Sequence, residues 1–360
     1  MTSRPSDVAV RPAPPAGGGR AAEVDAGREA LSSGRAAVDA FLRTAVGTMP
    51  DSVGRISGYH LGWLDADGVP AAADPGKAIR PTLALLAAEA VGGAVEAALP
   101  AAAAVELAHN FSLIHDDVID GDRTRRHRPT AWTVFGTGPA VLAGDAMLAL
   151  AYDVLATSGH PQAGSVAAML STAVLGLVGG QREDLAFEHR SDVGLAECLR
   201  MVERKTGLLM GCACAAGAAF GGGRPHQVDR LRRVGVHLGS AFQLVDDLLG
   251  IWGDPAVTGK PVYSDIQSRK KSVPVVAALT SGTAAGRELA ALYRRDGTLS
   301  EGELVRAAAL VDEAGARRWC HSRARAFAAL AVHELDAAGP RPRPAGRLRS
   351  LALLMSGQHR

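Results

Sequence analysis

Residues Ala101 to Asp120 read AAAAVELAHNFSLIHDDVID. Ala and Leu, both strong helix formers, dominate this stretch, and it ends in three aspartates. A helix places residues i and i+4 on one face, so Asp116 and Asp120 point the same way with Asp117 beside them. Adjacent carboxylates in apolar sequence are expensive to bury unless something positive neutralises them. A second stretch has the same form: Phe242-Gln243-Leu244-Val245-Asp246-Asp247-Leu248-Leu249. Two such clusters in separate helices suggest one shared cation site between facing helices.

Outward from these stretches the apolar spacing stays helical. Pro81–Val91, Val141–Ala156, Ser165–Glu188, Glu197–Phe220 and Asp229–Trp252 all follow the helix period. Alternating β-branched runs of strand length are nearly absent, and Gly/Pro clusters at Gly221–Pro225, Gly253–Pro261 and Gly339–Pro344 punctuate the pattern. The fold class is therefore all-α, a single-domain bundle of roughly ten or more helices. Residues 1–33 are rich in Ala, Gly, Pro, Ser and Arg and lack the compact apolar core of a secretory signal. They read as a disordered N-terminal tail, with the domain spanning residues 34–360.

The chain has 360 residues, 47% hydrophobic and 21% charged, as expected of a soluble globular protein. Its formal net charge of +2, from 39 basic and 37 acidic residues, is too balanced to draw nucleic acid by bulk attraction. Cys198, Cys212, Cys214 and Cys320 sit in Ala-rich helical sequence without a disulfide framework, which fits a reducing cytoplasm. No uninterrupted apolar run reaches about 18 residues, so no integral membrane segment is expected.

Oxygen-only ligation favours hard cations, and Mg²⁺ is the common choice where phosphates also ligate. The basic residues indicate what such a cation would hold. Lys77 and Arg80 lie in Gly76-Lys77-Ala78-Ile79-Arg80-Pro81, Arg125 and Arg126 lie just past Asp120, and Lys205 begins Lys205-Thr206-Gly207. Lys260 and Lys270 follow the second acidic stretch, in a polar loop over residues 254–271 placed to close over an anion. Arginine binds phosphate oxygens as a fork, while lysine acts as a point charge. Acidic pairs with scattered cations suggest two anions, one bridged through metal and one gripped directly.

In these positions the chain resembles the trans-isoprenyl diphosphate synthases, or polyprenyl synthetases, from about Tyr59 to Pro274. The family's GGKRxRP element matches Gly76–Pro81, with Ala78 in place of a basic residue. DDxxD matches Asp116–Asp120. The following Arg pair matches Arg125 and Arg126, with His127 where Gly is usual. GQxxD matches Gly180–Asp184, and the KT element matches Lys205 and Thr206. FQxxDDxxD matches Phe242–Gly250, with Gly250 replacing the third aspartate. The GK…D…K closure matches Gly259, Lys260, Asp265 and Lys270.

The resemblance implies an isoprenoid-synthase bundle around a central cavity, three Mg²⁺ ions, and a homodimer paired through helices. It implies Asp116, Asp120 and Asp246 as metal ligands, with Asp117 and Asp247 orienting ligands or metal-bound water. Arg125, Lys205 and Lys260 would neutralise the allylic diphosphate, with Lys270 in the same closing segment. Lys77, Arg80, His109 and Arg126 would hold isopentenyl diphosphate. Thr206 and Gln243 would place oxygens near the allylic cation formed when the C–O bond ionises. The isopentenyl double bond then attacks, and pyrophosphate removes the proton. Phe111 and Ser112, five and four residues before Asp116, are both about one turn away and can floor the product pocket. One aromatic at the earlier position resembles enzymes making geranylgeranyl diphosphate, with farnesyl diphosphate second.

Two other readings stay open. A class I terpene cyclase shares the architecture and acidic sites but has no second diphosphate for Lys77, Arg80, His109 and Arg126 to grip. A non-catalytic partner subunit would have lost an acidic motif, whereas this chain lacks one aspartate, at Gly250. His115-Asp116 also has the form of a phosphohydrolase HD dyad, without the further histidines that family needs.

Overall fold

The computed structural model describes residues 17–357 apart from Pro75, Lys260 and Asp296, and about three quarters of them are helical. In chain order, α1 is Gly17–Val46, α2 Asp51–His60, α3 Ile79–Val91 and α4 Val95–Ile119. A short antiparallel hairpin follows, β1 Thr124–Arg125 and β2 Arg128–Pro129. Then come α5 Ala131–Phe135, α6 Thr137–Ala156, α7 Ala163–Glu188, α8 Leu195–Val202, α9 Leu208–Phe220 and α10 Pro225–Trp252. The last part holds α11 Pro255–Thr258, α12 Ser264–Gln267, α13 Val273–Leu279, α14 Ala284–Tyr293, α15 Glu301–Glu313, α16 Ala316–Ala337 and α17 Pro342–Met355. Prolines stand at or near the starts of α3, α10 and α17, where the first-turn N–H groups have no intrahelical partner to lose.

The centre of the bundle is α4, whose Ala101–Val105 run is fully buried. It packs on α3, α6 and α9, while α10 packs on α9 and α16. Small residues set how closely these helices approach. A Cβ added to Gly217 of α9 would lie 1.8 Å from the Ala84 carbonyl oxygen of α3, so the two backbones touch.

The structure departs from the sequence reading in five places. First, residues 17–33 are not a tail but the first half of α1. Val24, Gly27, Ala30, Gly34, Val38 and Leu42 recur at helical spacing and form one buried face, and α1 packs on α17, α3 and α4. The preceding residues 1–16 lie outside the described residues. Second, the helix expected over Glu197–Phe220 is divided into α8 and α9 by a π-helical turn, Glu203–Gly207. Third, the 254–271 loop contains α11 and α12. Fourth, the β1–β2 hairpin holds the Arg125–Arg126 pair. Its turn residues Arg126 and His127 have φ of 51° and 60°, so the position where the family usually has Gly is one that needs left-handed backbone. Fifth, α4, α6 and α7 are long and apolar enough to cross a membrane by length and composition, because a mean hydropathy tolerates the few polar residues that interrupt each run. The apolar window of α4 is 72% buried inside the protein, that of α6 44% and that of α7 33%.

Candidate active site

The acidic stretches end two helices of this bundle. Asp116 and Asp117 lie in the last turn of α4 and Asp120 caps it, while Asp246 and Asp247 lie near the end of α10. Asp184 comes from the last turns of α7, and Lys205 and Thr206 from the π turn. A π turn bonds i to i+5 and recurs at functional sites. Here it delivers two side chains to two different helices. Lys205 Nζ lies 2.6 Å from Asp184 Oδ2, and Thr206 Oγ1 donates to Gln243 Oε1 at 2.7 Å. Gly180 makes the first contact possible, since a Cβ there would come within 2.6 Å of the Lys205 backbone nitrogen. The relay continues from Gln243 Nε2 to Asp247 Oδ1 at 2.8 Å, and the Val273 N–H donates to Asp247 Oδ2 at 2.9 Å.

Lys205 and Lys270 join the two acidic helix ends. Lys270 Nζ lies 3.9 Å from the Asp184 oxygen that Lys205 holds. Burial works against the charge on Lys270, yet Asp184, Asp265, Asp247 and Asp246 together raise its pKa. Burial pushes the Asp116 carboxyl up to about 6, with Asp120 and Asp117 adding to it and Lys205 and Arg125 opposing. Burial likewise raises Asp120, against Lys205 and Lys270, and pushes Asp247 up to about 7. Burial first, with neighbouring carboxylates adding to it, raises all three carboxyls, an environment that favours an added cation. Among the described residues no three His, Cys, Asp or Glu side chains converge as a preformed metal centre. Asp116, Asp120 and Asp246 thus offer oxygens singly or in pairs. That donor set fits Mg²⁺, which keeps waters and takes phosphate oxygens to complete its octahedron.

A second cationic cluster lies deeper along α4. Arg80 Nη1 is 2.9 Å from His109 Nε2. Arginine can only donate, so Nε2 accepts and the neutral ring carries its proton on Nδ1. Burial, then Arg80, Arg126 and Arg125, hold the His109 pKa well below its usual value. Arg126 lies against Gly76, where a Cβ would meet its guanidinium at 2.3 Å. Lys77 Nζ stands 5.9 Å from the Phe242 ring centroid, which ties the Gly76–Pro81 segment to α10. Arg125 Nε instead pairs with Asp117 Oδ1 at 2.6 Å, linking the hairpin to the first acidic motif. Lys260 lies outside the described residues. Phe111 is 8% exposed in the main core, with its ring edge-on to His115 at 4.8 Å between centroids. Ser112 turns back to donate to the His109 carbonyl at 2.8 Å.

Four residues of this site carried no role in the sequence reading. Asp184 anchors both lysines. Glu106 is buried among Arg80, Arg126 and Asn110, and its carboxyl is raised by burial against those arginines. Asn110 donates to the Glu106 carbonyl at 2.8 Å and to its Oε1 at 3.3 Å. His60 sits beside Asn110 and is lowered to about 3 by burial and by Arg125, Arg126 and Arg128. Glu106 had a visible signal, as the one charged residue between Ala101 and Ile114. His60 had none, because only the tertiary fold brings α2 to the arginines. A groove of about 920 Å³ between α1, α16 and α17 shares no residue with either cluster.

Comparison with known proteins agrees with this geometry. The polyprenyl synthetase family matches residues 68–311. The chain is 48% identical to a (2E,6E)-farnesyl diphosphate synthase of Mycobacterium tuberculosis over 82% of its own length and 83% of that protein's. It is 46% identical to a geranylgeranyl diphosphate synthase of the same organism, over 81% and 83% of the two chains. The crystal structure of a polyprenyl synthetase from Streptomyces coelicolor superposes with a TM-score of 0.87 at 46% identity, covering 91% of this chain and 98% of that one. On its helical fold, its ordered motifs and these relatives, the chain belongs to the polyprenyl synthetase family.

Proposed function

We propose that this trans-prenyltransferase condenses isopentenyl diphosphate with an allylic diphosphate to give geranylgeranyl diphosphate. One observation carries the reading: two cationic clusters of different construction face separate turns of α4, the lysines acting on Asp116 and Asp120 and Arg80 meeting His109. Lys205 and Lys270 stand around Asp184 between the carboxylates. Arg80, His109 and Arg126 stand apart from those carboxylates. His109 and Asp116 are separated by about 10 Å at the 1.5 Å rise of a helix. Two diphosphates held at that separation suit a reaction that joins the tail of one substrate to the other.

The first cluster is assigned to the allylic diphosphate, with Arg125 and Lys260 completing it. Asp116, Asp120 and Asp246 are the carboxylates we assign to Mg²⁺, three ions by resemblance, which when bound neutralise the departing pyrophosphate. Asp184 fixes Lys205 and Lys270 as point charges toward the same leaving group. The C–O bond breaks with its electron pair on pyrophosphate oxygen. The Thr206 and Gln243 oxygens face the allylic cation left behind, and buried walls keep out the water that would trap it as an alcohol. The second cluster binds isopentenyl diphosphate. Arg80 and Arg126 supply forked donors, neutral His109 offers Nδ1–H, and Lys77 adds charge. The isopentenyl double bond attacks the cation and a proton leaves to pyrophosphate.

Phe111 supports a twenty-carbon product, being the buried aromatic one turn below the first motif. Farnesyl diphosphate is the second reading, favoured by the identity to the mycobacterial farnesyl synthase. Exposed Leu142, Leu175 and Val178 on α6 and α7 support a homodimer through those helices. The four cysteines are buried free thiols, which supports a cytoplasmic setting. The test incubates purified protein with Mg²⁺, isopentenyl diphosphate and each allylic primer, with product lengths read by mass spectrometry. A twenty-carbon diphosphate is expected. Pyrophosphate release without isopentenyl diphosphate would favour a cyclase, and no release with any primer would refute the reading.

A further inference from the structure

Gly250 leaves the second acidic motif one carboxylate short, and the structure shows what fills its place. Residue 250 stands four positions after Asp246 and three after Asp247, so a side chain there would share their face of α10. A Cβ built on Gly250 would lie 2.5 Å from both Cγ and Oδ2 of Asp265 and 2.6 Å from its Oδ1. The carboxylate of Asp265 thus occupies the volume that a side chain at position 250 would need. Backbone contacts fasten it there. The Tyr263 N–H donates to the Ile251 carbonyl at 3.1 Å, and Ser264 Oγ donates to the Gly250 carbonyl at 3.2 Å. These bonds pin the start of α12 against the end of α10. The Lys270 N–H then donates to the Asp265 carbonyl at 2.9 Å. Asp265 also acts on the same charges as the motif itself: it raises both the Asp247 carboxyl and the Lys270 ammonium.

We propose that Asp265 supplies the third carboxylate of the second acidic motif, reaching into the motif from α12, and that Gly250 is the vacancy which admits it. This rests on the assignment of that motif to divalent cation and pyrophosphate.

A double-substitution cycle tests the proposal. The variants are Gly250→Asp, Gly250→Ala, Asp265→Asn, Asp265→Gly and the swap Gly250→Asp/Asp265→Gly. The readout is the binding of inorganic pyrophosphate with Mg²⁺, by titration calorimetry and by the ligand-induced rise in melting temperature, alongside condensation rate. Each single substitution is expected to weaken Mg²⁺-dependent pyrophosphate binding about tenfold or more, the equivalent of losing about 1.4 kcal/mol. Gly250→Ala matters because its methyl group displaces the Asp265 carboxylate by contact while leaving residue 265 unchanged. The swap is expected to recover most of the loss. Melting without ligand separates folding damage from lost binding. An Asp265→Asn variant that binds like the parent, or a swap no better than the weaker single variant, overturns the proposal. If the parent protein shows no Mg²⁺-dependent pyrophosphate binding, the metal assignment fails, and with it the proposal.

Discussion

At the residue scale, burial holds several ionisable groups of the site away from their ordinary states. His60 illustrates the sign. Its folded pKa is about 3, below the roughly 6.5 of an unfolded histidine. The unfolded chain therefore binds the extra proton, and stability falls as pH drops from 6.5 toward 3. Between pH 7.5 and 5 this one site removes at most about 2 kcal/mol. His109, also lowered, acts in the same direction. Glu106, whose carboxyl is raised, acts in the opposite one, gaining stability as pH falls through its folded value. Arg125, Arg126 and Arg128 are the charges facing His60. Asp116 and Asp247, raised to about 6 and about 7, oppose His60 over this window, so the test is a difference: His60→Asn should shift the change in urea stability from pH 7.5 to 5, relative to the parent, by up to about 2 kcal/mol in the stabilising direction. An unchanged slope would mean that His60 is not kept neutral by the fold. Phe111 sets a second expectation. Phe111→Ala removes the buried ring under the first motif and should shift products to longer chains by one or more five-carbon units, read by mass spectrometry. The same product spectrum as the parent would show that the pocket floor lies elsewhere.

At the element scale, the apolar period located the long helices but not their interruptions. Ala-rich runs specify helix, and nothing in Glu203-Arg204-Lys205-Thr206-Gly207 marks a wider turn. The π turn is stabilised by what it reaches, Asp184 on α7 and Gln243 on α10. The hairpin was equally hidden, because two-residue strands carry no alternation to detect. Closeness of α7 to the π turn depends on Gly180. Gly180→Ala would drive a methyl group into the Lys205 backbone and part Lys205 from Asp184. We expect a loss of about 1–3 kcal/mol in denaturant stability, the usual range for overpacking, and a fall in kcat of at least about tenfold, equivalent to about 1.4 kcal/mol of transition-state stabilisation. A variant with unchanged kcat would show that the Lys205–Asp184 contact is not needed in the reaction.

At the scale of the whole molecule, α6 and α7 are apolar outside as well as in. Leu142 is 62% exposed and Leu175 71% exposed, more than an isolated surface leucine would explain when it recurs on two packed helices. The subunit interface we propose through these helices would cover it. Leu175→Glu should shift the protein from dimer to monomer in sedimentation velocity while leaving its helical content intact. A variant that stays dimeric would place the interface on another face. The sequence by itself determined the all-α class, the order of the motifs and the two sets of charge, because helix period and residue chemistry are local properties. It did not determine that residues 17–33 are helical, since the buried face of α1 has meaning only against α3 and α17. It also did not determine what Gly250 is for. A missing aspartate reads as a loss along the chain, and only the packing of α12 on α10 shows another carboxylate in its place. Pairings between residues distant in sequence are decided by which backbones can touch, and that depends on the packed molecule.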